Sequence, residues 1–328
     1  MIELLRQKIS PDVRAGVPLA PFTSFRIGGP AEYYFEARRA DDAVLAVRAC
    51  LEAHIPYYIL GGGSNLLVSD EGIKGLVIRL VNRGLAINGT KAVAEAGAPS
   101  GFVATRTAAA GLAGFEWAVG LPGTIGGAIR GNAGMFGGEM KDCVEAVRVL
   151  MPDGQDRTMT NAECGFAYRE SVFKTLPGAV ILSAVLALRP EPDPAAVQAR
   201  MRKYLADKAA KQPLDKYSAG CAFKNWKPLN LEAELPVIRK TLDLNKDEPV
   251  PFTKDGGIPA GWVIDRAQLK GMKVGHASVS EKHANFIVSD GQATASEVIA
   301  LTSAVKMKIR DMTEGVILLN DEIEYAGF

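Results

Sequence analysis

Residues 120–138 read GLPGTIGGAIRGNAGMFGG, and five of the 13 residues from Pro122 to Gly134 are glycine. Such a stretch loses much conformational entropy on ordering and buries little apolar surface. A chain keeps it where the backbone turns repeatedly or must approach a ligand closely. Its polar members Thr124, Arg130 and Asn132 have the reach to meet phosphate or carboxylate. A second cluster, Gly61-Gly62-Gly63-Ser64-Asn65, follows directly on the strand-like YYIL at 57–60. A strand feeding a glycine turn brings N–H groups against a phosphate that side chains would obstruct. No Gly-Lys-Ser/Thr follows, so this is not a P-loop. The next stretch, LLVSDEGIKGLVIRL (66–80), alternates like strand and offers no helix start, which argues against a Rossmann fingerprint. The first-mentioned run at 120–138 favours a ligand role over a purely structural loop, whereas the 61–65 cluster alone reads equally as a tight hairpin turn. Together, without Rossmann order, they point to an extended dinucleotide such as FAD held along its length.

Outward from these clusters the chain alternates strand-like and helix-like stretches with no repeat, which predicts an α+β protein. Ala31–Ala37, Tyr57–Leu60, Gly75–Arg79 and Val144–Met151 are β-branched or aromatic runs of strand length. Asp41–His54 has an acidic start and apolar residues at helical spacing, and a second helix is expected from Ser100 to Ala110, stopping at Gly111. LRPEPDP (188–194) holds three prolines in seven residues, and Pro194 opens a helix expected to run to about Lys211. A domain boundary is expected here. Beyond it, Thr294-Ala-Ser-Glu297 is a capping-box pattern, followed by Val298, Leu301, Val305, Ile309 and Met312 on one face. GVILL (315–319) and then DEIEY (321–325) read as the final strands.

Composition narrows the function. With 328 residues the chain is long enough for two domains. Lysine and arginine number 38 against 37 acidic residues, a net charge of +1, so the broad basic field of a non-specific nucleic-acid binder is missing. The longest strongly apolar stretch, Ala179–Leu188, is ten residues, about half a membrane span. MIELLRQKIS has neither the apolar core nor the cleavage site of a signal peptide, and a cytoplasmic location is expected. Cys50, Cys143, Cys164 and Cys221 form no CxxC, and His54, His276 and His283 show no ligand spacing, so no metal site is expected.

TSFRIGGPA (23–31), LGGGSNLLV (60–68), the 120–138 cluster and YRESVFK (168–174) are followed by SAGCAFKNW (218–226), AGWVIDRAQLKGMKVGHASVSEKHANFIV (260–288) and DEIEYAG (321–327). In this order they resemble the UDP-N-acetylenolpyruvoylglucosamine reductase family, flavoenzymes that complete UDP-N-acetylmuramate for peptidoglycan. The resemblance implies a vanillyl-alcohol-oxidase/PCMH-type FAD domain of two subdomains, placed at 23–190 after an N-terminal segment 1–22, and a smaller α+β substrate-binding domain at 200–328. It implies non-covalent FAD, NADPH as co-substrate and UDP-enolpyruvyl-N-acetylglucosamine as substrate, in a monomer engaging neither nucleic acid nor membrane. No long tyrosine-bearing insertion lies between Lys211 and Ser218, which places the chain with the subclass lacking that loop.

Carried over residue by residue, the resemblance gives Arg169, Cys221 and Glu322 catalytic roles. Hydride addition to the enol ether builds negative charge on the substrate carboxylate, and a planar arginine fork suits that charge. Glu322 assists the polarised carboxyl system, with Asp321 and Glu324 as neighbouring competitors for the register. Cys221 stands where the family has a serine acid; a thiol, with an ordinary pKa of about 8.5, is the better proton donor. Tyr168, Lys224 and Asn225 are implied substrate ligands. FAD is expected at Gly61, Gly62, Gly63, Ser64, Asn65, Pro122, Gly123, Thr124, Gly126, Gly127 and Arg130. The competing readings are an FAD oxidase of the same fold acting on another small substrate, and a flavin-binding module without catalysis.

Overall fold

The helix expected over 41–54 forms as Ala40–Glu52 and buries Ala43, Ala46, Val47, Ala49 and Cys50; of the apolar residues whose spacing marks it, Val47 is buried, Val44 half-buried and Leu51 exposed, so the small residues and not the larger ones set its buried face. Its start is fixed by Asp42, whose carboxylate accepts the Arg39 N–H at 2.9 Å. In the computed structural model, which describes residues 1–245 and 247–328, the chain divides into two compact units. The first comprises residues 1–18, 30–63 and 73–210, and the second 19–29, 64–72 and 211–328. The helix Pro194–Lys211 forms as expected, but all of it up to Ala210 groups with the first unit, beyond the expected boundary. Residues 19–29 group with the second because Phe25 and Ile27 are buried in its apolar core.

The first unit holds a four-stranded sheet in the order Arg14–Pro18, Pro30–Ala37, Ile73–Leu80, Tyr57–Leu60. The last three are parallel, which requires crossovers. One crossover is the helix Ala40–Glu52; the other leaves the unit after Gly63 and returns at Ile73, which sets the first glycine cluster at the end of a sheet strand. A five-stranded antiparallel sheet follows the order Asp156–Thr160, Val144–Leu150, Val180–Ala187, Lys91–Glu95, Leu85–Asn88. Both sheets share one apolar cluster that includes Leu76, Ile78, Val147 and Leu182.

Helix Pro194–Lys211 buries Val197 and Met201 against Ala108 and Ala113. Arg200 fixes its register, donating to Glu116 Oε1 and Glu191 Oε2, both at 3.0 Å. Burial of Glu116 works to raise its pKa, but hydrogen bonds from the Gly114 amide and Arg200 outweigh it and the pKa is lowered. A carboxylate whose folded pKa lies below its unfolded one stabilises above the unfolded pKa, about 4.3. That contribution is lost as pH falls through the folded value. Urea unfolding between pH 7 and 3 should therefore show wild-type stability falling more steeply below about pH 4.3 than that of Glu116→Gln. Parallel curves would remove Glu116 from the acid response.

In the second unit a three-stranded antiparallel sheet, Lys273–Val274, Ala277–Val279 and Ile287–Ser289, packs with helix Ala295–Met312. The capping box is present: Thr294 Oγ1 accepts from Glu297 N at 3.2 Å, and Glu297 Oε2 from Thr294 N at 3.0 Å. Asp70 adds a carboxylate to the same helix end, accepting from Ala295 N at 2.8 Å and Ser296 N at 3.1 Å. Val298, Leu301, Val305 and Ile309 are buried, whereas Met312, at the helix end, is 40% exposed and leaves the predicted face.

GVILL does not form the expected strand. Its alternation is real, since Ile317 and Leu319 are buried and Leu318 is exposed. Its bonds, however, are irregular: Ile317 N donates to Thr313 Oγ1, and Asn320 O accepts from Lys224 N. The final strand is Glu324–Ala326, later than expected, and it pairs in parallel with Leu66–Val68.

Candidate active site

In the first unit the two glycine clusters meet back to back. A Cβ on Gly62 would stand 2.5 Å from Gly123 Cα, and one on Gly61 would stand 2.8 Å from Thr124 Oγ1. The absence of side chains at 61 and 62 is thus demanded first by the other cluster. Gly63 and Gly123 both take positive φ, +59° and +95°. The amides of Gly62 and Gly63 make no hydrogen bond among the described residues.

The second cluster is more ordered than its glycine content implies. Thr124 is extended and pairs with Pro99, and Ile125–Arg130 is a short helix. The Ile125 and Gly126 amides donate to Ala98 O and Ala96 O at 2.9 and 2.8 Å, so the Gly126 amide is occupied within the chain. A Cβ at Gly126 would stand 2.9 Å from that of Ala96. Gly127 instead faces open space, with Thr124 Oγ1 at 3.7 Å as its nearest neighbour. Pro122 is exposed. Thr124 Oγ1 and Ser100 Oγ are buried without a hydrogen-bond partner among the described residues. They are near one another in the fold, since Ser100 N donates to Gly123 O at 3.1 Å. Half-buried Lys208, its pKa lowered by that burial, donates to Gly120 O at 2.5 Å and anchors the entry to the cluster.

Arg169 and Tyr168 are the central pair of a tight turn closed by two bonds, Ala167 N to Glu170 O at 3.0 Å and Glu170 N to Ala167 O at 3.1 Å. Arg169 has φ +57°, a conformation bulky residues rarely adopt. Its guanidinium lies 5.2 Å from the Tyr168 ring centroid and donates through Nη2 to Gly134 O at 3.1 Å. The catalytic arginine of the sequence reading is therefore tied to the far end of the second glycine cluster. Arg130, four residues before Gly134, offers its carbonyl to Ser171 Oγ at 2.6 Å.

The other expected residues belong to the second unit, including Ser64 and Asn65. Ala222 O accepts from Glu322 N at 2.9 Å, which sets the residue after Cys221 beside Glu322. Asn65 Nδ2 donates to Glu322 O at 2.9 Å, and Asn65 O accepts from Glu324 N at 3.0 Å. Among the three acidic neighbours, Asp321 is paired with Lys306 at 2.6 Å and Glu324 belongs to the final strand. Oε2 of Glu322 is buried. Lys224 is half-buried and anchored through its own N–H to Asn320 O. Asn225 Oδ1 accepts from Ala260 N at 3.3 Å, at the start of helix Ala260–Arg266. Asn285, which the sequence reading missed, accepts from Phe223 N at 3.0 Å and donates to Phe223 O at 2.9 Å. Its own carbonyl takes Ala222 N at 2.7 Å, so this one buried residue fixes the backbone after Cys221. His283 Nδ1 accepts from Asn285 N at 3.2 Å, and its ring packs edge-on to Phe286.

The model of the UDP-N-acetylenolpyruvoylglucosamine reductase C-terminal domain matches residues 212–326, and that of an FAD binding domain matches 31–160. UDP-N-acetylenolpyruvoylglucosamine reductase 2 of Symbiobacterium thermophilum is 38% identical over 299 residues, 90% of this chain and 87% of its own. The reductase of Caldanaerobacter subterraneus is 34% identical, covering 100% of this chain and 99% of its own. The chain belongs to the UDP-N-acetylenolpyruvoylglucosamine reductase family. The crystal structure of the family member from Thermus caldophilus superposes with a TM-score of 0.74 at 31% identity, covering 96% of this chain and 98% of that one. The α+β fold with an FAD-binding domain holds as expected, and FAD is the cofactor. The residues present fit it: two orphaned buried hydroxyls, unoccupied amides at Gly62 and Gly63, and the open face of Gly127 lie in or beside the two clusters.

Proposed function

We propose that Arg169, Cys221 and Glu322 carry the family's reaction in this chain, the NADPH-dependent reduction of UDP-enolpyruvyl-N-acetylglucosamine to UDP-N-acetylmuramate. FAD held by the two glycine clusters would supply the redox chemistry, hydride addition to the β-carbon of the enol ether at the expense of NADPH. As that addition proceeds, negative charge grows on the substrate carboxylate, and the Arg169 fork offers it parallel N–H donors. Cys221 Sγ gives its proton to the α-carbon, completing the saturated lactyl ether. Glu322 steadies the polarised carboxyl system from a partly buried position. Lys224 and Asn225 meet the sugar phosphates, with Tyr168 as a further substrate contact. The clusters at 61–65 and 122–130 hold the dinucleotide.

The observation that carries this reading is the bond from Arg169 to Gly134 O, which ties the carboxylate-binding group to the end of a dinucleotide cradle. No helix among the described residues is long and apolar enough to cross a membrane. With a net charge of +1, we read the chain as a cytoplasmic monomer of the subclass without the tyrosine loop, divided functionally near residues 190–200. The purified protein should be yellow and, beyond the one equivalent of NADPH that reduces its flavin, should consume NADPH, followed by its absorbance, only when the UDP-enolpyruvyl sugar is added. Acid precipitation should release FAD into the supernatant. Flavin retained in the pellet together with oxygen consumption in place of sugar reduction would favour an oxidase; bound FAD without turnover would leave a binding module.

A further inference from the structure

Asn132 is fully buried and has φ +40°, a left-handed conformation that asparagine tolerates better than most residues. Nδ2 donates to Ala167 O at 2.8 Å and to Glu139 Oε2 at 2.9 Å, while Oδ1 accepts from Lys141 N at 3.0 Å. Both donors and the acceptor are thus engaged, and only a side-chain amide offers that set at this length. Ala167 O is also the acceptor that closes the Tyr168–Arg169 turn. Two residues along each strand of this contact, Arg169 Nη2 meets Gly134 O. Residues 132 and 134 therefore grip 167 and 169 by two parallel ties, one through the asparagine amide and one through the guanidinium.

We propose that Asn132 is a positioning residue that holds the turn carrying Arg169, and through it aims the guanidinium at the substrate carboxylate. This inference rests on the reading of Arg169 given above. Arg169 sits in a backbone conformation it would leave if the turn were released, and Asn132 is the side chain that pins the turn at its closing carbonyl. A residue that only packed the core would lower both half-reactions together. One that acts through Arg169 affects only the step in which carboxylate charge develops.

The test uses Asn132→Gly in the holoenzyme, since glycine keeps the positive φ and removes all three side-chain bonds. Flavin reduction by NADPH should stay within about twofold of wild type. Reoxidation by the UDP-enolpyruvyl sugar should slow by about 100-fold, the scale of a misplaced catalytic group. In an Arg169→Ala background the same substitution should add no further loss. A crystal structure of Asn132→Gly should show the guanidinium moved off Gly134 O. Equal loss in both half-reactions, additive losses, or an Arg169 that stays in place would each overturn the proposal. If Arg169→Ala alone leaves reoxidation unchanged, the reading of Arg169 fails, and the crystal structure still decides whether Asn132 positions it. Should the glycine variant not fold, Asn132→Asp keeps the volume and the acceptor while removing the donors, and the same outcomes apply.

Discussion

Cys221→Ala should leave the NADPH half-reaction intact and slow the half-reaction with the UDP-enolpyruvyl sugar by about 10²- to 10⁴-fold, the range of general-acid catalysis. The neighbouring backbone is held by Asn285, which bonds Ala222 N and both the N–H and C=O of Phe223, and by the bond from Glu322 N to Ala222 O. Cys221→Ser keeps a proton donor and should retain useful turnover. A thiol reagent should inactivate the wild type, with protection by substrate, and spare the serine variant. The other cysteines do not confuse this test. Cys50, Cys143 and Cys164 are buried, and burial pushes their thiols up to about 11, 12 and 11, whereas Cys221 is only partly covered. An alanine variant with wild-type turnover would show that the proton comes from elsewhere.

Arg169→Lys should reduce turnover by about 10²- to 10³-fold while flavin reduction by NADPH proceeds normally. Lysine keeps the charge but cannot present two parallel N–H donors to a carboxylate, and its ammonium lacks the planar fork that meets Gly134. Stopped-flow measurement of the two half-reactions separates the outcomes. Equal loss in both would make Arg169 a structural or cofactor-binding residue.

Much of the fold was legible because its signals are local. The capping box at Thr294–Glu297, the proline start at 194 and the strand Tyr57–Leu60 before the first glycine cluster all appear within a residue or two of their expected places. GVILL misled because alternation reports burial on one side of an extended chain, not the presence of a partner strand. The site was legible in its residue types but not in its supports. Asn132, Asn285, Lys208 and Asp70 act on partners 35, 62, 88 and 225 residues away, and nothing near them in sequence marks the contact. The glycines were read as room for a ligand. At 61, 62 and 126 the structure gives them a nearer duty, room for other backbone and side chains of the same chain.

The parallel pairing of Leu66–Val68 with Glu324–Ala326 bears on how the molecule is made. Asn65 and Glu322 are separated by 257 residues, and so a ribosome exposes the early strand long before its mate exists. Throughout that interval Leu67, together with Phe25 and Ile27, is an apolar side chain waiting for the core it joins in the finished second unit. Vectorial synthesis gives the first unit most of its chain early and lets the second close only when the late strand emerges, an order that leaves these side chains open to chaperone capture in the meantime. A fragment beginning at residue 211 would lack that strand, the Asp70 cap and part of the apolar core, and the second unit is accordingly not separable by cutting the chain at one point.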